Sequence, residues 1–339
     1  MLLFALLGGV AQAATECADT AAALQQQLDD FSDGGLYANE DNLLAIVGDG
    51  TSVYVAPGPG GFHYSSTSTT TSLQIIGGYA AGCTQRTDNA ALTRLSGTGT
   101  TPVLSLKSTH GLITVYNLTL QDGQSTQPGA GLQVNRQITP RGQISLANLI
   151  VRNNHSSASS GGIYAATDVA LDLSRSLIVG NSAAGQYGAG IVSSTSSSFV
   201  SQLLNVTVSR NTSGAPSNPV GGMDAAGGGV FEIYDGIFWN NTGTGLYLET
   251  TQAMLQYNDY GVLGGTAPQS NFQNYSVNPR FVDAAAGNFH LDGNSPLLGI
   301  SVYATTLQGY ADLDGNLGGG RGKADLGAYF ETIFIDGFD

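Results

Sequence analysis

The residues best suited to ligand chemistry are tyrosines and carboxylates that recur just after pairs of glycines. Five glycine-led phrases carry them: GAGLQV (129–134), SGGIYA (160–165), GAGIVS (188–193), VGGMDA (220–225) and TGLYLE (244–249). If each phrase feeds a strand, one side chain per phrase points outward: Gln133, Tyr164, Val192, Asp224 and Tyr247, with Glu249 beside the last. Aromatic rings can stack on sugars, and carboxylates accept bonds from hydroxyls or bind Ca²⁺. We therefore predict Tyr164, Asp224, Tyr247 and Glu249 as ligand-binding candidates, against the simpler alternative of an ordinary solvated sheet face.

A neighbouring face offers a second set of candidates, Asp172 and Glu232. Glycoside hydrolysis needs two carboxylates about 5–10 Å apart, and either Asp172 with Glu232 or Asp224 with Glu249 meets the residue types. A polysaccharide lyase needs a Lys or Arg base beside a carboxylate cluster. Lys and Arg number only 11 and are scattered, so the sequence indicates no lyase base.

The stretch DLDGN (312–316) resembles part of a Ca²⁺-binding loop. Its candidate metal ligands are Asp312, Asp314 and Asn316, with Asp325 further along. Lys323 stands where the EF-hand pattern needs its closing Glu. The alternative is a plain Asp-Gly turn. The histidines His63, His110, His155 and His290 show no metal-ligand spacing. No cofactor is predicted other than this Ca²⁺ option.

A second repeated phrase explains how such residues would be positioned. It runs through VYNLTLQDG, SLANLIVRNN, SRSLIVGNS, LLNVTVSRN and YDGIFWNN, aligned on residues roughly 30 apart: Asn117, Asn148, Ser176, Asn205 and Gly236. Apolar residues flank a mixed position after each anchor, which is the period of a half-buried strand. Stacked Asn side chains can satisfy one another inside such a repeat. We predict an Asn ladder of Asn117, Asn148 and Asn205.

Each period holds three short strands and leaves no room for a crossover helix. This pattern predicts an all-β fold, a right-handed parallel β-helix (solenoid), with a β-sandwich or propeller as the alternative. The stretch DTAAALQQQLDDF (19–31) has Leu24, Leu28 and Phe31 at helical spacing, which predicts a short N-terminal capping helix that begins after Asp19 or Thr20. A partner-binding helix is the sharper alternative.

The remaining features concern export. Residues 1–13 combine an apolar run with an A-x-A-like site and predict a signal peptide, although a basic n-region is missing. Cys17 and Cys83 are therefore expected to pair. A net charge of −14 argues against a nucleic-acid partner, and no segment after the leader has the length and apolarity of a transmembrane span. We expect an extracellular or bacterial cell-surface monomer.

Several stretches resemble known exported proteins. GGIYAATDVALDLSRSLIVGNSAAGQYGAGI (161–191) resembles the repeats of bacterial polymorphic outer-membrane-protein-type surface proteins. SLQIIGGYAAGCTQRTDNAALTRLSG (72–97), NPRFVDAAAGNFHLDGNSPLLGIS (278–301), DLDGN and DLGAYFE (325–331) resemble the choice-of-anchor Q group of exported β-helix proteins. The tail IFIDGFD (333–339) resembles short acidic-aromatic tails of some exported bacterial proteins, and this resemblance implies a sorting signal.

The organisation implied by sequence and resemblance has five parts: a signal peptide (1–13), an N-terminal cap (14–48), the β-helix (49–282), a last coil with C-terminal cap (283–332) and a tail (333–339). The predicted function is a non-catalytic binding, adhesive or structural module, with polysaccharide or surface glycan as the partner. The alternative is a polysaccharide lyase or glycoside hydrolase that uses an outer face.

Overall fold

The structure is a computed structural model that describes residues 14–109, 112–136, 143–166, 169–195, 199–250, 252–302, 309–317 and 324–331. The predicted signal peptide and the tail 333–339 lie outside these residues. No helix in the described part of the chain is long and apolar enough to cross a membrane.

Three stacked parallel sheets form a β-helix, which confirms the predicted fold class. Sheet A follows the order Ala14–Ala18, Asn42–Val47, Leu73–Tyr79, Ile113–Gln121, Gln143–Arg152, Ala170–Val179, Val200–Ser209, Val230–Tyr234, Ala253–Gln256 and Ser270–Phe272. Beside this path, sheet A also contains Val53–Val55, Arg94–Ser96, Ile237–Trp239 and Asp259–Tyr260.

Sheet B contains Phe62–Ser66, Leu104–Ser108, Leu132–Arg136, Ile163–Ala166, Ile191–Thr195, Val220–Gly227, Thr244–Leu248 and Leu263–Gly265. Sheet C is a narrow ribbon of two-residue strands: Gln124–Ser125, His155–Ser156, Ser182–Ala183 and Thr212–Ser213. Each strand pairs with its counterpart in the next coil, about 4.8 Å away. Inward Leu, Ile and Val side chains stack into one continuous core.

The helix α1 (Ala21–Phe31) covers the first coil. Thr20 is its N-cap, and its Oγ1 accepts a bond from the Ala23 backbone N–H at 3.1 Å. The predicted stripe Leu24, Leu28 and Phe31 is buried and joins the core of the β-helix. Burial of this stripe confirms a capping helix.

The predicted disulfide is also present, between Cys17 and Cys83. Cys17 lies in the first strand of sheet A, and Cys83 lies in a turn that follows Leu73–Tyr79. The bond therefore fastens the capped first coil to a later coil.

Strand register corrects the predicted alignment by one residue in the later coils. Asn148 stacks on Asn117, but the next positions in that column are Arg175, Asn205 and Asp235, in place of Ser176 and Gly236. These residues have positive φ, from 44° to 62°, and they bend the strands of sheet A into two arms. Asn and Asp tolerate this left-handed conformation better than most residues, which explains the bias of the column.

The predicted Asn ladder does not form among Asn117, Asn148 and Asn205. Their amides donate to backbone carbonyls and not to one another: Asn117 to Gly77 and Thr87, Asn148 to Asp312 and Asn205 to Asp325. At this corner the side chains face the segments that cover the solenoid, and Arg175 separates the second Asn from the third.

A ladder does form six residues further along each phrase. Asn154 donates through Nδ2 to Asn181, Asn181 to Asn211 and Asn211 to Asn241, at 2.9–3.0 Å. The backbone N–H of each of the first three residues also donates to the Oδ1 of the next. Every Nδ2 in the ladder also reaches a carbonyl of the preceding coil. These buried amides satisfy one another from coil to coil.

The C-terminal segment runs along the side of the solenoid. Its described parts, 279–302, 309–317 and 324–331, are here named the strap. The strap includes a two-stranded antiparallel pair, Phe281–Asp283 with Asn288–Leu291, and a 3₁₀ turn at Ala284–Ala286. It lies along the side of the solenoid, where Leu313 accepts a bond from Ala90 and Gly327 donates to Asp235.

The strap explains the mixed positions of the repeat. Ile150, Leu177 and Val179 point outward from sheet A yet are buried beneath Leu313, Phe289, Ala328 and Tyr329. Ile237 is buried in the same way beneath Leu291, Leu297 and Leu326. Apolar residues at these outward positions are therefore core residues of a second interface.

Asn181→Ala should lower the free energy of unfolding by about 1–3 kcal/mol, because the Asn154 amide and backbone N–H lose their buried acceptor. Urea denaturation followed by circular dichroism measures the change. Asn135→Ala, an outward residue of sheet B, is the matched control and should change stability by less than about 0.5 kcal/mol. Equal losses in the two variants would contradict a stabilising ladder.

Replacing both Cys17 and Cys83 by Ser should destabilise the chain by about 4 kcal/mol in the chain-entropy account, since the bond closes a loop with a sequence separation of 66. The same denaturation assay measures this loss. Reductant should destabilise the native chain and leave the double variant unchanged. A native chain that is indifferent to reductant would show that the bond adds no stability.

Candidate functional site

The outer face of sheet B gathers the first set of candidates into one line. Strand register places seven outward side chains in a single column, here named the outer column: His63, Ser105, Gln133, Tyr164, Val192, Asp224 and Tyr247. Glu249 stands one rung and two residues away from Asp224, a Cα separation of about 8 Å by strand geometry. The order predicted from the glycine-led phrases is the order in the structure.

The glycines before these strands lie directly against the outer column. A Cβ on Gly129, which has φ +80°, would come within 2.9 Å of the Tyr164 Cβ. A Cβ on Gly188 would lie 1.9 Å from the Ile191 carbonyl oxygen and 2.9 Å from the Asp224 nitrogen. Only glycine permits turns so close to the sheet, so these phrases shape the surface that a ligand would meet.

One of these turns encloses a groove at the early coils, here named the turn groove, of about 390 Å³. It lies between the turn of residues 124–129 and the outer column at Ser105 and Gln133. Its side-chain lining consists of hydroxyls, amides and prolines: Pro59, Thr100, Pro102, Ser105, Gln124, Ser125, Thr126, Gln127 and Gln133. None of these lining residues carries a charge.

Asp224 sits in the later part of the column and is almost fully covered, with 2% of its surface exposed. Burial, together with the charge of Glu249, raises the pKa of Asp224 to about 7. Its Oδ1 has no hydrogen-bond partner among the described residues. Glu249 is exposed, and Tyr164 and Tyr247 are half-buried. The two carboxylates are thus neighbours in very different environments, which is one arrangement that acid–base chemistry uses.

Asp172 and Glu232 occupy the outer face of sheet A, two rungs apart with Gln202 between them. Gln143 donates to Asp172, and Gln202 donates to Glu232. Burial raises the pKa of Asp172 to about 6, and the charge of Glu232 adds to that rise. The two glutamine amides hold both carboxylates in hydrogen bonds along the sheet. Asp172 and Glu232 therefore have a structural role that does not require a ligand.

The lysine of sheet B is too far from the Asp224–Glu249 pair to act as a lyase base. Lys107 also faces outward on sheet B, but four rungs, or about 19 Å, separate its strand from that of Asp224. Proton abstraction by Lys107 beside the Asp224 carboxylate is therefore excluded by distance.

The candidate Ca²⁺ ligands are engaged in hydrogen bonds of their own. Asp312 accepts from the backbone of Asp314, Asn316 and Phe330. Asp325 accepts from the backbone of Gly299 and Glu331. No three His, Cys, Asp or Glu residues of the described chain are grouped so that they could hold a metal ion. The residues fit an Asp-Gly turn better than a Ca²⁺ loop.

Sequence reasoning missed one constellation. His290 was expected to be isolated, but its Nε2 lies 2.8 Å from Asp314 and its Nδ1 lies 3.1 Å from Glu331. Hydrogen bonds that His290 donates to Asp314 and then to Glu331 raise the pKa of His290 to about 10. These partners lie 24 and 41 residues away in the chain, and no local spacing signals such a cluster.

The other histidines have simpler surroundings. His155 contacts Ser182, and His63 faces Asp29 at 3.6 Å on the exposed surface. His110 lies outside the described residues.

The chain matches no family model, no curated protein and no solved structure in the comparisons made.

Asp224→Asn should stabilise the chain at pH 8. The folded pKa of about 7 lies above the ordinary value of 3.8, so stability from the neutral carboxyl is complete below about pH 4 and is lost as pH rises to about 7. The variant does not lose this stability, so at pH 8 its free energy of unfolding should exceed that of the native chain by a few kcal/mol, the order of magnitude that linkage gives.

Urea denaturation at pH 4 and pH 8 measures the difference between native chain and variant. Glu249→Gln is the matched control, since that side chain is exposed and should show a much smaller change. If the difference in free energy of unfolding between the native chain and Asp224→Asn is the same at both pH values, the Asp224 carboxyl is not buried in its neutral form.

Proposed function

We propose that this chain is an exported, non-catalytic β-helix module that binds an uncharged glycan along the outer face of sheet B. The turn groove carries this proposal, because its lining offers hydroxyl and amide groups without a charged residue. Such groups form hydrogen bonds with sugar hydroxyls as both donors and acceptors. The half-buried rings of Tyr164 and Tyr247 continue the same column and offer stacking surfaces.

Burial of Asp224 also favours binding over catalysis. A general acid must come within hydrogen-bond reach of the bond it protonates, and a carboxyl on a residue with 2% exposure does not offer that reach. One observation supports the alternative function, a glycoside hydrolase that uses Asp224 and Glu249. The raised pKa of Asp224 beside a second carboxylate is what an acid/base pair requires.

Export and family form part of the same proposal. A disulfide supports an oxidising compartment, in agreement with the predicted leader at residues 1–13. The likeness of the repeats and of the C-terminal stretch to polymorphic outer-membrane-protein-type and choice-of-anchor Q proteins supports a place among exported β-helix proteins at the bacterial surface. Ca²⁺ has no role in this proposal.

Affinity electrophoresis of the mature chain in gels that contain neutral or acidic polysaccharides, with and without Ca²⁺, tests the proposed function. We expect retardation by a neutral polysaccharide, no dependence on Ca²⁺ and no new reducing or unsaturated ends. Replacing both Gln127 and Gln133 by Ala should weaken binding about tenfold or more, because each lost hydrogen bond contributes about 0.5–1.5 kcal/mol.

Asp172→Asn on sheet A is the control and should bind as the native chain does. Unchanged binding by the Gln127 and Gln133 double variant would remove the turn groove from the proposal. New reducing ends that disappear in Asp224→Asn would establish the hydrolase instead.

A further inference from the structure

Asp235 is a residue of the solenoid that contacts two separate parts of the strap. Ser301 donates through Oγ to the Oδ2 of Asp235 at 2.6 Å. Gly327 donates its backbone N–H to the Asp235 carbonyl at 2.8 Å. Ser301 and Ala324 also exchange backbone hydrogen bonds at 3.0 Å, so the two parts of the strap are joined where they meet Asp235.

The carboxyl of Asp235 is buried without a cation beside it. The residue has 0% of its surface exposed, and it takes part in no ion pair among the described residues. Its second oxygen, Oδ1, has no hydrogen-bond partner in the part of the chain that the structure describes. An ionised carboxylate is costly in such surroundings, and a buried group of this kind takes up a proton instead.

Asn205, one rung before Asp235, has the same deficit. It is fully buried, and its Nδ2 donates to the Asp325 carbonyl at 3.0 Å. Its Oδ1 accepts no hydrogen bond from any described residue. Two buried acceptor oxygens without donors therefore follow one another in the column. A protonated carboxyl has one O–H donor, so a single proton on Asp235 can satisfy both oxygens.

We propose that Asp235 is a proton-dependent latch for the strap. In the docked strap the neutral carboxyl donates from Oδ1 to the Asn205 Oδ1 and accepts from Ser301 at Oδ2. Loss of the proton to solvent leaves a buried anion next to an amide oxygen, with one donor for its two oxygens. Water reaches this anion when the strap around Ser301 and Gly327 lifts from sheet A, so ionisation favours the open strap.

The direction of the pH dependence follows from burial. Burial raises the pKa of Asp235 to about 7, although the hydrogen bond from Ser301 acts in the opposite direction. When the strap lifts, the carboxyl returns to its ordinary value of 3.8. The stability that the neutral carboxyl gives to the docked strap is therefore complete below about pH 4 and is lost as the pH rises to about 7.

Other ionisable groups near Asp235 have to be separated from it. Burial raises the pKa of Asp325, on the strap, and of Asp259, in the next coil, to about 6. Both carboxyls therefore weaken the folded state in the same direction as Asp235 does when the pH rises. Arg175, two rungs before Asp235, and Tyr257, one rung after it, are the other ionisable residues of the column. The Asp235 contribution is the difference between the native chain and a variant that changes this residue alone.

Hydrogen exchange of the mature chain at pH 5 and pH 7, read by mass spectrometry and corrected for the intrinsic exchange rates, tests this inference. Peptides that contain Ser301 or Gly327 report the opening of the strap. Between the two pH values, the opening constant should rise at least tenfold more in the native chain than in Asp235→Asn. The substituted amide is neutral, has a donor for Asn205 and an acceptor for Ser301, and suits the φ of 57° at this position.

Asp224→Asn is the matched control, because Asp224 is also buried and its pKa is also about 7, but it lies on sheet B. Its strap peptides should keep the pH dependence of the native chain. Peptides from the strand Ala170–Val179 report opening of the solenoid itself, and they should respond less to pH than the strap does. Circular dichroism establishes that both variants are folded.

Three outcomes would each overturn the latch. The first is a native strap whose corrected exchange is the same at both pH values. The second is a folded Asp235→Asn variant that keeps the full pH dependence of the native chain. The third is an equal response of the strap and of Ala170–Val179, which would show that the solenoid opens as a whole. The measurement uses no glycan, so its result is independent of the proposed function.

Discussion

The structure depends on one constraint: each coil must present its backbone and its turn amides to the next coil in the same register. Parallel strands satisfy the backbone along sheets A, B and C. Corners interrupt that pattern, and a buried polar group left unpaired there is costly. The mutual bonds from Asn154 to Asn241 remove this cost at one corner. The pairing of sheet B, despite a register shift between Val220 and Met223, then brings the outer column into one line of side chains.

The strap depends on the other corner. Where strands of sheet A bend at Asn117, Asn148 and Asn205, the side-chain amides face the covering segments, although Asn117 also donates to the Gly77 carbonyl of sheet A. The turn around Thr87 and the strap supply carbonyls to them. The strap also buries outward apolar residues of sheet A such as Ile150 and Leu177. One segment thereby supplies partners to these amides and covers the outward apolar residues of sheet A.

Local patterns in the sequence were sufficient for the fold and for the outer column. Alternation around glycine-led strands fixed which side chains share a face, since the side-chain period of a strand is two. The helical stripe of Leu24, Leu28 and Phe31 likewise identified the cap. Alignment of the second phrase failed by one residue at Ser176, because Arg175 takes a left-handed position that Asn or Asp usually holds.

Features that depend on contacts between distant parts of the chain could not be predicted from the sequence. Nothing in the spacing of His290, Asp314 and Glu331 indicates that they meet, since the path of the strap across the coils decides it. Burial of Asp224 was equally hidden, because a glycine pair shows that chains approach closely but not which side chains are covered. The Asn ladder was expected for the right physical reason but at the wrong corner.

Contacts of the strap alter how the solenoid holds together. A simple solenoid is a one-dimensional array in which each repeat contacts only its neighbours, so it can fray from an end coil by coil. Here the strap bonds to Ala90, Asn148, Asn205 and Asp235, which belong to coils that do not all touch one another. Fraying of the final coils must therefore disturb coils in the middle of the array. The strap converts a row of separable repeats into a single cooperative unit.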